Sequence, residues 1–215
     1  GRAGANVVVL ARDHERIKSM VDQVKDSGGQ ALGIAADVLN QQDLLLAREQ
    51  ILSHFGTLDI LVNGAGGNRP GATTSDEQSF FDLPFADVSS VFNLNFLGTF
   101  LPSQIFGSAM ANQGQGVIIN ISSASSFHPM TRVVAYSAAK AAINNFTEWL
   151  AVYMAQEYSR SIRVNAIAPG FFIAEQNRAL LVQPDGQYTE RAQKILANTP
   201  MGPFPVTSYH WSFGM

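Results

Sequence analysis

The chain has 215 residues, of which 46% are hydrophobic and 14% charged, and its formal net charge is −3. This composition is typical of a globular domain with a buried core and argues against a disordered chain. Without a basic run, an apolar run of eighteen residues or any cysteine, we expect no nucleic-acid or membrane partner, no metal site and a reducing, cytoplasmic location.

Short apolar runs alternate with longer helical patterns along the chain. The predicted strands are residues 6–10, 31–35, 59–63, 117–121 and 161–166. The predicted helices are residues 14–27, 41–55, about 86–111, 133–158 and about 188–197, with Asp13 and Asn40 as N-caps. This alternation predicts an α/β fold in which a doubly wound parallel sheet is covered by helices on both faces, in three layers.

Polar or turn residues follow the predicted strands closely. They are Arg12, Asp37, Asn63, Ser123 and Pro169. Parallel sheets bind ligands beyond the carboxyl ends of their strands, so we expect one ligand site at this edge.

Tyr136 and Lys140 are four residues apart, which places them on one face of a helix. A free phenol has a pKa of about 10, and a nearby ammonium group lowers it. A Tyr changed in this way can exchange a proton with an alcohol near neutral pH. Ser123, thirteen residues earlier, can hold the same oxygen. Taken alone, the pair can also be a surface contact.

Several motifs together resemble the short-chain dehydrogenase/reductase family over nearly the whole chain. They are DILVNGAG at residues 59–66, Asn95 in NFLGTF, Ser123, YSAAK at residues 136–140 and RVNAIAPG at residues 163–170. The resemblance implies a Rossmann-like fold and an NAD(P)-dependent oxidoreductase that moves hydride between a nicotinamide and an alcohol or ketone.

The resemblance also implies catalytic roles. Tyr136 would be the general acid and base, and Lys140 would lower its pKa and hold the nicotinamide ribose. Ser123 would position the substrate oxygen. Asn95 would anchor a water next to Lys140, although it can also simply bond neighbouring backbone.

Residues that would contact the dinucleotide follow from the same resemblance. They are Arg12, Asp37, Val38, Asn63, Gly64, Ala65, Gly66, Tyr136, Lys140, Pro169 and Gly170. Asp37 would meet the adenine ring, or serve only as a turn residue. Arg12 suits a 2′-phosphate and favours NADP, whereas Asp13 beside it keeps NAD open, and Arg12 can also be a solvated charge.

The polar segment at residues 66–74 and the segment at residues 171–178 are similar to the sugar-acid branch of the family, of the D-mannonate oxidoreductase (fructuronate reductase) type. Candidate substrate contacts are Asn68, Arg69, His128, Arg132 and Arg178, since a carboxylate needs a cation. The Phe80–Phe81 pair keeps a 3-oxoacyl thioester or steroid-like ketone open as the substrate.

The chain departs from the family pattern at both ends. The glycine-rich TGxxxGIG start with the first strand is absent, as are the last strand and helix, so we expect one incomplete domain over residues 1–202 and an atypical tail over residues 203–215. The absent strand would leave two unpaired edges inside the sheet. We hypothesise weak nucleotide binding and little turnover, and an inactive, associating subunit is the alternative. The complete protein would pair through helices 86–111 and 133–158 as a homo-dimer or homo-tetramer.

Overall fold

The computed structural model describes residues 1–128, 132–171, 173, 177–200 and 204. These residues form two compact units, one over residues 1–168 and one over residues 169–213. Each unit is described by itself below. None of the helices in the described ranges combines the length and the apolar character that crossing a bilayer requires.

The described part of the first unit contains five strands and four long helices in the predicted order. The strands are β1 (Val7–Ala11), β2 (Ala31–Ala35), β3 (Ile60–Asn63), β4 (Gly116–Ile121) and β5 (Ile162–Ile167). The helices are α1 (His14–Asp26), α2 (Gln41–Phe55), α3 (Phe85–Gln113) and α4 (Val134–Glu157). The predicted N-caps are confirmed, because the side chains of Asp13 and Asn40 each accept two backbone N–H groups of the helix that follows.

The strands pair in parallel but fall into two separate sheets. One sheet has the order β1-β2 and the other β3-β4-β5. Within the described residues, β1 pairs only with β2, and β3 pairs only with β4. The prediction of two unpaired edges between the first and third strands is therefore confirmed.

One layer of helices joins the two sheets. Buried residues of α2 and α3, including Leu44 and Phe106, form a core that side chains of both β1 and β3 contact. A second core packs α4 and the end of α3 on β4 and β5. Helix α1 packs on the opposite face of β1 and β2. Gly33 of β2 permits this close contact, because a Cβ at that position would lie only 2.5 Å from the Ile17 side chain.

Apolar side chains remain exposed on the other face of the β3-β4-β5 sheet. Ile60 and Val62 of β3 and Ile167 of β5 are about half exposed. Their strand neighbours that point the opposite way, such as Ile118 and Val164, are buried under the helices. Among the described residues, helices therefore cover this sheet on one face.

The described residues of the second unit contain two short helices, α5 (Arg178–Leu181) and α6 (Glu190–Ala197). Leu181, Ala192 and Phe204 form its buried core. A turn lies at residues 184–186: Gly186 has a positive φ of 85°, and an antiparallel bridge joins Val182 to Tyr188 across the turn. Apart from Phe204, the tail predicted over residues 203–215 lies outside the described residues.

Candidate active site

Tyr136 and Lys140 lie in the first two turns of α4, next to the carboxyl end of β4. The Lys140 side chain is buried, and its Nζ donates a hydrogen bond of 2.8 Å to the carbonyl of Ile121, the last residue of β4. The same Nζ lies 5.5 Å from the centre of the Tyr136 ring. Helix spacing and the parallel sheet together therefore bring the phenol and the amine into one place.

Ser123 reaches the same place from the sheet. It follows β4 and precedes a single 3₁₀ turn, Ala124–Ser126. Its Oγ accepts hydrogen bonds from the backbone N–H of Ser125, at 3.2 Å, and from the Ser125 hydroxyl, at 3.0 Å. Its hydroxyl also lies near enough to the Tyr136 phenol for hydrogen bonding to lower the pKa of that phenol. Ser123, Tyr136 and Lys140 thus form one cluster.

Burial has the largest effect on the pKa values of Tyr136 and Lys140. It raises the pKa of Tyr136, while the hydrogen bond with Ser123 acts in the opposite direction and lowers it. Burial also lowers the pKa of Lys140 to about 8. The largest effect on the pKa of Tyr136 is thus its own burial, while the Lys140 amine bonds the Ile121 carbonyl, and the expected lowering of the Tyr136 pKa by Lys140 stays a prediction.

Asn95 is fully buried in α3 and fastens the glycine-rich loop that follows β3. Its Nδ2 donates to the carbonyls of Gly67 and Val91, both at 2.7 Å, and its Oδ1 accepts from the N–H of Gly67 at 3.2 Å. A Cβ on Gly66 would lie 2.5 Å from Asn95 Oδ1 and 3.4 Å from Lys140 Nζ. Asn95 therefore bonds backbone, as the alternative reading expected, and its role with a water stays a prediction.

A buried chain of side-chain hydrogen bonds, which sequence reasoning missed, crosses the layers beneath this cluster. Asn63 Nδ2 of β3 donates to Ser103 Oγ of α3, at 2.8 Å, and to Asn120 Oδ1 of β4, at 2.9 Å. Asn120 Nδ2 donates to Thr147 Oγ1 of α4 at 2.9 Å. Asn63 and Asn120 are register partners on neighbouring strands. An Asn near the end of each of these two buried strands was therefore the feature of the sequence that could have predicted the contact.

Replacing Asn120 with Ala tests this chain of hydrogen bonds. The change removes one acceptor and one donor inside the core and leaves Asn63 and Thr147 with lost partners, which costs about 1–3 kcal/mol. We expect the urea midpoint of unfolding to fall accordingly with an unchanged slope. The exposed Asn145 on α4 provides the matched control, and equal stabilities of the two alanine variants would contradict the prediction.

The predicted adenosine-side residues meet at the carboxyl ends of β1 and β2. The guanidinium of Arg12 lies 3.8 Å from a carboxylate oxygen of Asp37, and both side chains are accessible to solvent. The other oxygen of Asp37 accepts the N–H of Leu39 at 2.9 Å, as a turn residue does. Val38 packs against Gly98 of α3.

These residues fit a dinucleotide at its two ends. At the nicotinamide end, the Lys140 ammonium has three N–H groups and donates one of them to the Ile121 carbonyl, which leaves capacity for ribose hydroxyls. A Cβ added at Gly64 or at Gly67 would meet no atom closer than 4.0 Å. A ligand can therefore approach the backbone of this loop closely at these two positions. For the pyrophosphate, in contrast, no glycine-rich helix start is found in the described part of the first unit, and the first turn of α1 is already capped by Asp13.

The predicted substrate residues in the first unit lie on two loops that contact each other. Thr74 donates its N–H to the Arg132 carbonyl at 2.9 Å. Arg69 and Arg132 form long ion pairs with Asp87 and Asp76, at 3.9 and 4.0 Å, and both guanidinium groups are more than half exposed.

The loop that carries Arg69 continues into a turn beside the cluster, because Ala72 belongs to a small core against which Tyr136 packs. The Asn68 side chain donates a hydrogen bond to Thr73 at 2.8 Å. His128 is exposed just after the Ser123 turn, which we define as residues 123–126. Pro169, Gly170 and Arg178 belong to the second unit, and their roles stay sequence-based predictions.

The described residues contain no cluster of three or more His, Asp or Glu side chains able to hold a metal ion.

The family model for short chain dehydrogenases matches residues 1–183. An uncharacterized oxidoreductase, UxuB of Bacillus subtilis (strain 168), is 48% identical over 211 residues, which are 94% of this chain and 75% of that protein.

Solved structures agree with the family match. A crystal structure of a proposed D-mannonate oxidoreductase from Haemophilus influenza, with bound NAD, is 47% identical and superposes with a TM-score of 0.86. The match covers 93% of this chain and 74% of that one. A gluconate 5-dehydrogenase from Burkholderia cenocepacia, in complex with NADP and tartrate, is 27% identical, with a TM-score of 0.79 over 94% and 73% of the two chains.

Proposed function

The chain belongs to the short-chain dehydrogenase family of oxidoreductases, and from that premise we propose that it interconverts a secondary alcohol and a ketone on a sugar acid such as D-mannonate or D-fructuronate. NAD or NADP would be the hydride carrier. The observation that carries this proposal is the cluster of Ser123, Tyr136 and Lys140 at the carboxyl end of β4.

The side chains of this cluster supply the proton part of the reaction. When bound, the nicotinamide supplies or accepts the hydride. Because burial raises the pKa of Tyr136, its phenol is protonated at neutral pH and can donate to a ketone oxygen as an acid. Ser123 would hold that oxygen through its hydroxyl. In the oxidation direction Tyr136 must first lose its proton, so the rate should rise with pH.

The two loop arginines support an acidic substrate. Arg69 and Arg132 are exposed cations, and their ion pairs of 3.9 and 4.0 Å are longer than hydrogen bonds. Their guanidinium N–H groups are therefore available to a carboxylate, which accepts them in pairs. The Haemophilus protein, which is 47% identical to this chain, is described as a proposed D-mannonate oxidoreductase, which agrees with this chemistry.

The choice between the dinucleotides depends on Arg12. Its guanidinium would attract a 2′-phosphate and favour NADP, but its ion pair with Asp37 offsets part of that charge. The Haemophilus structure contains NAD and the Burkholderia structure contains NADP. We therefore propose NAD or NADP without preference.

Replacing Arg69 with Ala tests the proposed substrate class. With D-fructuronate, we expect KM to rise about 10- to 100-fold, because one charge-assisted contact is lost. With an uncharged ketose of similar shape, KM should stay the same. Arg160, exposed before the amino end of β5, provides the control variant Arg160→Ala, which should leave both values unchanged.

Three results would count against the proposal. The first is an equal rise in KM for the charged and uncharged substrates in Arg69→Ala. The second is faster reduction of a steroid-like ketone or a 3-oxoacyl thioester than of the sugar acid. The third is the absence of any reduction at saturating NADH or NADPH, which would favour the inactive alternative.

A further inference from the structure

Ser126, the last residue of the Ser123 turn, contacts both the turn and helix α4. Its Oγ donates a hydrogen bond of 2.6 Å to the carbonyl of Ser123. The same oxygen accepts a hydrogen bond of 2.8 Å from Nδ2 of Asn144. The hydroxyl thus bridges the backbone of Ser123 to a side chain of the helix.

Asn144 lies on the face of α4 that carries the proposed catalytic side chains. It follows Lys140 by four residues and Tyr136 by eight, so the three side chains lie along one stripe of the helix. The contact between Ser126 and Asn144 therefore fastens the Ser123 turn to the stripe that holds Tyr136.

A second contact with α4 holds the other end of the turn. Ser122 is buried, and its Oγ donates to the Lys140 carbonyl at 3.2 Å and lies 3.4 Å from Ser126 Oγ. Ser122 fixes the start of the turn to α4, whereas Asn144 fixes its end. Between the two contacts, the backbone of Ser123 is held on both sides.

We propose that Ser126 and Asn144 are positioning residues that keep the Ser123 hydroxyl against the phenol of Tyr136. This inference rests on the proposed function, in which those two side chains contact the substrate oxygen. Neither Ser126 nor Asn144 needs to touch the substrate. Their effect passes through the backbone carbonyl of Ser123 and through the geometry of its turn.

Loss of either side chain should loosen the turn without unfolding the helix. Asn144→Ala removes the donor to Ser126, and Ser126→Ala removes the bridging oxygen. Alanine is a good helix former, so α4 tolerates the first change. A misplacement of about 1 Å in a reacting group can lower a rate about 100-fold. We therefore expect kcat to fall about 10- to 100-fold, with KM nearly unchanged.

A titration of Tyr136 tests the proposal without any turnover. The chain is labelled with ¹³C at the ring carbon that bears the tyrosine hydroxyl, and the Tyr136 signal is assigned by its loss in Tyr136→Phe. Because the Ser123 hydrogen bond lowers the pKa of Tyr136, weakening it should move the titration upward in Asn144→Ala and in Ser126→Ala. The double variant should move it no further, since both changes break one bridge.

Two variants serve as controls. Ser126→Thr keeps a bridging hydroxyl and should titrate as the wild type does. Asn145→Ala removes the exposed neighbouring Asn of α4 and should also have no effect. An unchanged Tyr136 titration in both Asn144→Ala and Ser126→Ala would overturn the proposal, even if their stability fell.

Failure of the proposed function would look different. In that case Tyr136→Phe would retain full oxidoreductase activity, whereas the Tyr136 titration would still shift in Asn144→Ala. A shift accompanied by the expected fall in kcat supports both the positioning role and the function it rests on.

Discussion

Replacing Tyr136 with Phe is expected to lower kcat about 10²- to 10⁴-fold, the range typical of losing a general acid or base. The change removes a single oxygen from a half-buried ring that packs against the core of Ala72 and Val91. The packing of the ring should therefore survive. Dinucleotide affinity should stay within about twofold, because Lys140 and the glycine loop are unaltered.

Steady-state kinetics and a fluorescence titration with NADH and NADPH measure the two quantities separately. Tyr153 offers a matched control, since it lies on the same helix, is partly exposed and stacks on Trp149. Tyr153→Phe should leave kcat unchanged. A Tyr136→Phe variant with wild-type kcat would remove this residue from the mechanism, and a large loss of dinucleotide affinity would show that the phenol acts in binding instead.

The cluster of Ser123, Tyr136 and Lys140 could be predicted from the sequence because its geometry is local. Four residues on a helix place Tyr136 and Lys140 together, and the end of a parallel strand places Ser123 beside them. The split of the sheet was predictable for a similar reason, since the order of strands in the family fixes which edges stay unpaired. The first and last residues of α2 and of β2 are the predicted ones.

Contacts between distant residues could not be predicted in this way. The bridge from Ser126 to Asn144 spans eighteen residues and that from Asn63 to Asn120 fifty-seven. Each joins polar side chains that, in sequence alone, could equally be solvated or serve as caps. The hydrogen bond between Lys140 and the Ile121 carbonyl, which are nineteen residues apart, has the same origin. Helix α5, only four residues long, has too short a pattern to detect.

Replacing Lys140 with Met is expected to stabilise the fold at pH 7 while removing activity. The Lys140 side chain is buried, and burial lowers its pKa from 10.5 to about 8. That difference corresponds to about 3 kcal/mol, which the folded chain loses when the amine is charged. Methionine has a similar length and no charge. The lost hydrogen bond to Ile121 costs about 1 kcal/mol, so we expect a net gain of roughly 2 kcal/mol.

The dependence on pH gives the sharper test. Below pH 8 both the folded and the unfolded chain carry the charged amine, so the full penalty applies to the wild type. Between pH 8 and about 10.5 the unfolded chain binds more protons than the folded one at this site, so the stability of the wild type should rise through this range. The Lys140→Met variant lacks this rise, and the difference in stability between the two proteins should therefore shrink as pH increases.

Urea unfolding at pH 7, 9 and 10 measures this difference directly. Lys25→Met, at an exposed position in the last turn of α1, should follow the wild type at every pH. If Lys140→Met is less stable than the wild type at pH 7, or if the difference stays constant with pH, the amine is not held at a cost in the folded chain. If the prediction holds, the site contains a buried lysine that lowers the stability of the fold. That is expected where a side chain serves chemistry and not packing.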